Sequence, residues 1–303
     1  MGPVAEFAAH VCTTDAYVLG EGCRWDEERS ELYWVSILDG TFVRARADGP
    51  TITVIRRYDL GGFVSAVAPM RDRADGWVVA KDQGIYHLAE DGTLAPMSVP
   101  EAHRAAEVRM NDGSADPWGR FWIGSMAYDC APGRGTLFRL TAGHDLESIV
   151  HGATISNGLG WSPDRRRMYY VDSGPATIDL FDVDESGHAT NRRTFVSFDS
   201  EVEGAPDGLT VDAEGAVWVA LWGGYEVRRY AESGDLLARV RVPTAQPSCC
   251  CLGGEGGTTL YVTTAREDLD EATLAAEPDA GRLFCAEVGV AGQPLDGYLA
   301  DRR

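Results

Sequence analysis

Residues 205–224 read APDGLTVDAEGAVWVALWGG, and this stretch contains the pattern that decides the fold. Two runs of alternating, β-branched and aromatic residues flank the turn sequence DAEG, which is typical of two antiparallel strands joined by a tight turn. Asp207 stands at the start of the first strand, between Pro206 and Gly208. Proline fixes φ, and glycine tolerates backbone angles that other residues resist. A carboxylate held there is suited to binding or catalysis, or it simply stabilises its own turn.

The same pattern recurs along the whole chain. A turn rich in Asp and Gly precedes a strand with an aromatic residue, and a second turn and strand follow. The copies occupy residues 24–49, 75–92, 116–129 with 135–143, 162–187, 212–234 and 256–292. Their aromatic residues lie about 43–48 residues apart, which is the length of a four-stranded propeller blade. These aligned residues are Trp34, Trp77, Trp122, Tyr170, Trp218 and Tyr261.

Six copies predict an all-β fold, a six-bladed β-propeller with four-stranded blades, formed by residues 1–303 as a single domain. Apolar residues alternate within the copies, whereas a helical solenoid of similar period would space them at i, i+3 and i+4. A strand near residues 11–20, around residues 17–19, is expected to pair with the last blade and close the ring. The blades are expected from about residue 24 to residue 292, and only residues 267–277 resemble a short helix or a charged loop.

Composition and charge restrict the partners of the protein. The 303 residues carry a formal net charge of −20, so neither nucleic acid nor an anionic membrane is an expected partner. No apolar run reaches the length of a membrane span, and the first residues lack a secretory signal, which predicts a cytoplasmic location. The seven cysteines are then expected to be reduced thiols, with Cys249, Cys250 and Cys251 buried as small hydrophobic residues. A monomer is compatible with this sequence, which does not determine the oligomeric state.

Polar side chains beside glycine precede four of the strand pairs, at intervals of one blade or a multiple of it. The segments are GEG at 20–22, RMNDG at 109–113, SNG at 156–158 and PDG at 206–208. Because the inner strands of a propeller surround one channel, these side chains should converge at its mouth. Glu21, Asn157 and Asp207, with Asn111 as a further candidate, offer only oxygen ligands. They predict one divalent cation, Ca²⁺, Mg²⁺ or Mn²⁺, with Zn²⁺ less favoured by ligand type. The alternative is that each side chain only stabilises its own turn.

Other catalytic schemes find less support in the sequence. The chain has no GxSxG nucleophile elbow, and its histidines show no HxxxH pair. The glycine-rich residues 253–257 lack the Lys-Ser/Thr of a phosphate-binding loop. These observations disfavour a serine hydrolase, a zinc protease and a nucleotide-binding site of the Walker type.

Five segments closely resemble the senescence-marker protein/regucalcin/gluconolactonase family. They are LGEGCRWD, RMNDGSADPWGRFWIGSM, SNGLGWSPDRRRMYYVDS, PDGLTVDAEGAVWVALWGG and the terminal LYVTTA, and the likeness runs from about residue 19 to residue 292. The resemblance implies a six-bladed propeller that holds one divalent cation, most often Ca²⁺, through Glu21, Asn157 and Asp207. It also implies that Asp207 is the catalytic acid and base.

The resemblance further implies substrate contacts at Arg109, Asn111 and Asp129, and the metal-dependent hydrolysis of a small molecule, a sugar lactone. Two other interpretations stay open. The same metal site could serve another hydrolysis, or a ring-opening or ring-forming step in a dedicated pathway. Alternatively, the protein could bind calcium without turnover, because a propeller fold does not fix a function.

Overall fold

The computed structural model describes residues 3–48, 51–72, 76–100 and 107–300, which form six sheets arranged in a ring. Gly49 and Asp75, which bound two of the predicted repeats, lie outside the described residues. The innermost strands contact one another in succession, from the first sheet to the sixth and back to the first. The prediction of a six-bladed β-propeller is therefore confirmed.

The first three blades are consecutive along the chain, after the N-terminal strands β1 (Ala5–Ala8) and β2 (His10–Val11). Blade 1 contains β3 (Gly20–Asp26), β4 (Glu31–Ser36), β5 (Thr41–Asp48) and β6 (Thr51–Asp59). Blade 2 contains β7 (Val64–Pro69), β8 (Trp77–Lys81), β9 (Gly84–Leu88) and β10 (Leu94–Ser98). Blade 3 contains β11 (Val108–Ala115), β12 (Phe121–Ala127), β13 (Gly135–Leu140) and β14 (Leu146–Ala153).

The last three blades complete the ring. Blade 4 contains β15 (Ser156–Trp161), β16 (Arg167–Asp172), β17 (Thr177–Val183) and β18 (Ala189–Ser197). Blade 5 contains β19 (Ala205–Val211), β20 (Val217–Trp222), β21 (Glu226–Tyr230) and β22 (Leu236–Arg241). Blade 6 contains β23 (Pro247–Gly253), β24 (Thr259–Thr264) and β25 (Phe284–Glu287), with β2 as its outer strand. The three cysteines at 249–251 lie on β23 and are buried, as predicted.

The N-terminal residues close the ring, at the start of the predicted range 11–20. β2 pairs antiparallel with β25, with His10 opposite Cys285. Residues 17–19 form no strand, and only Leu19 makes an isolated bridge, to Ala265. β1 pairs in parallel with β22 and adds a fifth strand to blade 5, which the sequence did not indicate. The predicted pairing of an N-terminal strand with the last blade is confirmed, although the strand lies at the edge of the range 11–20 and not around residues 17–19. Strands of two and four residues are too short to show an alternating pattern, so the sequence could not locate them more closely.

Helical structure is limited to short connections in the described residues. They are α1 (Ser200–Glu203), α2 (Glu271–Ala276) and a 3₁₀ turn at Glu255–Gly257. α2 falls within residues 267–277, where the sequence predicted a short helix or a charged loop. Neither α-helix of the described part is long and apolar enough to cross a membrane.

The aligned aromatic residue lies on the second strand of every blade and is fully buried there. Trp77 of blade 2 shows what this residue does. Its ring lies 5.1 Å from the ring of Tyr33 and 4.9 Å from that of Phe42, both in blade 1. Large rings buried between neighbouring sheets supply much of the hydrophobic stabilisation. The repeat seen in the sequence is therefore the repeat of the contacts between blades.

In blades 3 and 5 an aspartate of the first turn binds the aromatic residue of the next strand. Asp212 Oδ1 accepts hydrogen bonds from two backbone amides of its turn, and its Oδ2 accepts one from Trp218 Nε1 at 2.9 Å. Asp116 Oδ2 accepts the corresponding bond from Trp122 Nε1 at 2.7 Å. Each aspartate thus fixes a turn to the aromatic core that separates two blades.

We expect Asp212→Ala to lower the free energy of unfolding by about 3 kcal/mol, because the buried Trp218 indole N–H and two turn amides lose their acceptor. Urea denaturation followed by tryptophan fluorescence measures the loss. Asp235→Ala in the same blade is the control. Its carboxylate accepts a bond from the Ser233 hydroxyl at a surface turn, so the change should be within about 0.5 kcal/mol. Equal losses in both variants would contradict the proposed role of the Asp212–Trp218 bond.

Candidate metal and catalytic site

Every inner strand has an irregularity in its pairing near its start. In β11, β15 and β19 two residues face one residue of the neighbouring strand, and Asn111, Asn157 and Asp207 are among them. In β3 the irregularity follows Glu21 directly. A β-bulge takes a residue out of the ladder and changes the direction of its side chain. The predicted site residues therefore lie at corresponding positions of four blades, near the starts of the inner strands. We call this end of the channel the site mouth.

Glycine follows the bulged residues Asn157 and Asp207, at points where the next inner strand passes closely. A Cβ atom on Gly158 would lie 2.5 Å from the backbone nitrogen of Leu209. A Cβ atom on Gly208 would lie 2.6 Å from the Cβ of Cys249. Because both distances are far below van der Waals contact, only glycine allows the inner strands to approach this closely. The NG and DG dipeptides thus contribute to packing as well as to the site.

A hydrogen-bond network joins the amide side chains of blades 3 and 4. Asn111 Nδ2 donates to Asn157 Oδ1 and to the Ser156 carbonyl oxygen, both at 3.1 Å. Asn111 Oδ1 accepts a bond from Arg109 Nη1 at 2.7 Å. Asn157 Nδ2 donates to Ser173 Oγ at 2.9 Å, which fixes the amide so that Oδ1 faces Asn111. The structure therefore brings together Arg109, Asn111 and Asn157.

Ser173 is a member of this network that sequence reasoning missed. Its hydroxyl accepts the bond from Asn157 and donates to the carbonyl oxygen of Pro206 at 2.7 Å. The residue after Pro206 is Asp207, so Ser173 ties the backbone beside the carboxylate to the amide of the neighbouring blade. A serine in the turn between the second and third strands of a blade carries no sequence signal for such a role.

Three buried carboxyl groups interact at the site mouth, those of Glu21, Asp112 and Asp207, with exposed fractions of 6%, 3% and 5%. Burial is the main cause of the raised pKa of Asp207, and the charges of Glu21 and Asp112 raise it further. Burial also raises the pKa of Glu21 well above its usual range, with contributions from the nearby Cys249 and Asp112. The structure therefore brings Glu21 and Asp207, predicted as metal ligands, within each other's electrostatic field.

Asp112 is the second residue that sequence reasoning passed over, although it stands next to Asn111. Burial raises its pKa, while Arg24, with Nη2 at 3.8 Å from Asp112 Oδ1, acts in the opposite direction. Arg24 is itself buried. Arg24 also acts on Glu21, and Arg109 acts on Asp207, each in the direction that lowers the pKa of the carboxyl group. Burial outweighs both cations, so the pKa of Glu21 and that of Asp207 stay raised, and ionising both carboxyls remains costly.

The residues at the site mouth fit a hard divalent cation. Asp207 Oδ1 is buried and accepts no hydrogen bond from the described residues. Leaving a buried carboxylate oxygen without a partner is costly, and a cation would remove that cost. Glu21, Asn157 and Asp207 offer two carboxylates and one amide oxygen, the ligand chemistry of Ca²⁺ and Mg²⁺. The described residues contain no group of three or more His, Cys, Asp or Glu side chains placed as a metal site.

Asp129, the remaining predicted substrate residue, lies outside the buried network. It is exposed on the turn after β12, and its Oδ1 accepts a bond from the Ala131 amide at 3.0 Å. The turn itself lies at the site mouth, because Ala127 at the end of β12 pairs with Val108 at the start of β11. A substrate contact through Asp129 stays a prediction.

The opposite end of the channel is covered by the C-terminal part of the chain. Gln293 Nε2 donates to the carbonyl oxygens of Trp161 at 2.9 Å and Val211 at 3.0 Å, at the ends of β15 and β19. A cavity at this end is lined by residues such as Trp25, Trp161 and Asp296. It lies away from the carboxyl groups of the site mouth, where the candidate site is.

Comparisons with known proteins agree with this architecture. The family model described as SMP-30/Gluconolactonase/LRE-like region matches residues 19–266. L-arabinolactonase of Azospirillum brasilense is 36% identical over 296 residues, which cover 94% of this chain and 93% of the relative. The 6-deoxy-6-sulfogluconolactonase of Pseudomonas putida is 34% identical over 281 residues, which cover 92% of this chain and 94% of the relative.

A solved structure gives the same result. The calcium-binding protein regucalcin of Agrobacterium tumefaciens strain C58 is similar with a TM-score of 0.89 and 29% sequence identity. The similarity covers 98% of this chain and 99% of that chain. The chain therefore belongs to the SMP-30/gluconolactonase family, which includes proteins named lactonases.

Proposed function

We propose that the protein hydrolyses a sugar lactone with the help of one divalent cation held by Glu21, Asn157 and Asp207. Family membership and relatives named lactonases support lactone hydrolysis. The observation that carries the metal dependence is the buried Asp207 Oδ1, which finds no hydrogen-bond donor among the described residues and lies beside a second carboxylate and an amide oxygen. Ca²⁺ is the first choice, and Mg²⁺, Mn²⁺ and Zn²⁺ are the other candidates.

Asp207 is the proton-transfer group of this proposal. Its carboxylate takes a proton from the attacking water, whose oxygen bonds to the lactone carbonyl carbon. The ring C–O bond then breaks, and the proton on Asp207 passes to the departing alkoxide, which leaves an open-chain hydroxy acid. When bound, a divalent cation supplies Lewis acidity toward the carbonyl and the positive charge that lets two adjacent carboxylates be ionised together.

Arg109 and Asn111 orient the substrate relative to the cation ligands. The Arg109 guanidinium stands at the site mouth, and one of its nitrogens binds Asn111 Oδ1. Its other nitrogens are suited to the sugar hydroxyls or the ring oxygen, which places the carbonyl for attack. Asn111 orients Asn157 through its Nδ2, so it acts on the cation ligands as well as on the substrate side.

The first test is removal and return of the metal. We expect chelation to lower the hydrolysis of aldonolactones by at least about a hundredfold, because Lewis acidity is lost, and one of Ca²⁺, Mg²⁺, Mn²⁺ or Zn²⁺ to restore it. Alkali uptake in a pH-stat measures acid release from glucono-1,5-lactone and from pentonolactones. Undiminished turnover in protein shown to be metal-free by elemental analysis would contradict the metal dependence.

The same experiment separates the other two interpretations. A phosphotriester included in the panel reports another hydrolysis at the same centre. Tight calcium binding without consumption of any lactone, with any cation, would contradict lactone hydrolysis and favour a non-catalytic calcium-binding protein. The likeness to a structure described as a calcium-binding protein is the observation that favours this second candidate.

A further inference from the structure

Two aromatic rings from different blades meet at the site mouth. Phe63 precedes β7 of blade 2, and Tyr128 follows β12 of blade 3. Their ring centroids are 5.4 Å apart, with an angle of 56° between the ring planes. On the other side, the guanidinium carbon of Arg109 lies 6.0 Å from the Phe63 centroid. The three side chains form a continuous surface beside the candidate site, which we call the aromatic wall.

The backbone holds this wall in a fixed position relative to Arg109. The Phe63 amide donates to Asp82 Oδ1 at 2.8 Å, and the Asp82 amide donates to the Phe63 carbonyl oxygen at 2.8 Å. The Asp82 carbonyl oxygen in turn accepts a bond from the Met110 amide at 2.7 Å. Asp82 thus connects Phe63 to the strand that carries Arg109. A binding surface fixed before the ligand arrives loses little conformational entropy on binding.

The exposure of Tyr128 distinguishes it from the aligned aromatic residues that separate the blades. The aligned aromatic residue of every blade is buried, whereas the Tyr128 side chain is 47% exposed. A large exposed ring beside buried polar side chains is typical of a ligand site, where the ring supplies apolar contact and the polar groups supply orientation.

A carboxylate completes the mouth on another side of Arg109. Glu267 stands two residues after Ala265, which bridges to Leu19 just before β3, so Glu267 too lies at the site mouth. It is half-buried, and its charge and that of Arg109 influence each other. The mouth therefore combines an apolar wall, a guanidinium and a carboxylate. That combination suits a ring with C–H groups on its faces and several hydroxyls at its edge.

We propose that Phe63 and Tyr128 form the specificity wall of this site and stack against one face of a polyhydroxylated lactone ring. The inference rests on the proposed lactone hydrolysis and adds the substrate class to it. The hydroxylated ring of such a lactone covers the wall while its carbonyl lies at Asp207. A small unsubstituted lactone places its carbonyl there without covering the wall.

The test compares wild type with Tyr128→Ala, Tyr128→Phe and Phe63→Leu, on glucono-1,5-lactone and on γ-butyrolactone. Tyr128→Ala should raise KM for the sugar lactone about tenfold, with kcat within about twofold, because binding is lost without loss of chemistry. Tyr128→Phe keeps the ring and should behave as wild type, while Phe63→Leu should resemble Tyr128→Ala. For γ-butyrolactone, kcat/KM should be the same in all four proteins.

Several results would overturn the wall. One is an unchanged KM for the sugar lactone in Tyr128→Ala, and another is an equal loss of kcat/KM for both lactones, which would indicate general damage to the site. Tm values identify a variant that has lost its fold. If the wild type opens neither lactone, the proposed function fails. The role of the aromatic wall is then tested separately, by calorimetric measurement of D-gluconate binding to the wild type and the variants. Weaker binding by Tyr128→Ala than by Tyr128→Phe supports it, and equal or absent binding overturns it.

Discussion

Replacing Asp207 by asparagine should abolish lactone opening, with kcat lowered by about a thousandfold or more. Asparagine has the shape of aspartate but cannot accept the proton of the attacking water, and it removes one of the two charges that would hold the cation. Initial rates with glucono-1,5-lactone at saturating cation measure the loss. The expected phenotype is a fall in kcat with the fold intact, because the side chain lies in a bulge outside the strand ladder.

The same substitution should raise the Tm of the metal-free protein. The pKa of Asp207 is raised by burial and by the charges of Glu21 and Asp112, so its ionised form destabilises the fold. A carboxyl group whose pKa is raised by folding contributes stability at low pH, and that stability is lost as the pH rises through the folded-state pKa. The gain in Tm should therefore be largest at mildly alkaline pH, roughly 2–4 °C for each kcal/mol regained, and should shrink on acidification.

Calorimetric scans in excess chelator, across a series of pH values, measure this gain. Asp235→Asn is the matched control, because it removes a carboxylate from the opposite end of the same blade. This variant should keep the activity of the wild type and its dependence of Tm on pH. A variant at Asp207 that keeps wild-type turnover would contradict the assigned proton transfer. A lower Tm than wild type at every pH would contradict the destabilising charge.

The fold could be predicted because its repeat is local in the sequence. Each blade repeats an aromatic residue on its second strand, and Trp34 of blade 1 and Trp218 of blade 5 stand at equivalent places although three blades lie between them along the chain. The spacing of such residues gives the number of blades without any knowledge of contacts. The closing strands β1 and β2 are short and pair with distant residues, so their position could not be derived in the same way.

The candidate site could be predicted only in part. Asn157 and Asp207 can be recognised in the sequence by the glycine that follows each of them. That glycine is needed because the strand forms a bulge there and the next inner strand passes closely. Ser173 has no such mark, since its role depends on which atoms face it across two blades. The contact between Phe63 and Tyr128 could not be predicted from the sequence either, because it arises only when blades 2 and 3 pack side by side.

The affinity for a divalent cation should fall as the pH is lowered, and the proton-binding properties of the site give the reason. The pKa of Glu21 and that of Asp207 are both raised in the metal-free protein, first by burial and then by neighbouring charges. A cation that binds these oxygens must displace the protons that the pair holds. For each proton displaced, the apparent Kd for the cation rises about tenfold for each unit by which the pH is lowered. The two carboxyl groups titrate as a coupled pair.

Isothermal titration of Ca²⁺ into metal-free protein, in buffers with different ionisation enthalpies, counts the protons released per cation. We expect release to increase as the pH falls from mildly alkaline values toward the ordinary carboxylate range. Glu21→Gln should weaken binding by about a hundredfold and reduce the proton release, because one titrating ligand is gone. Glu27→Gln, at the far end of β3, is the control and should leave both quantities unchanged. Because the cation and the proton compete for the same two oxygens, a pH-independent Kd in the wild type would mean that Glu21 and Asp207 are not the ligands.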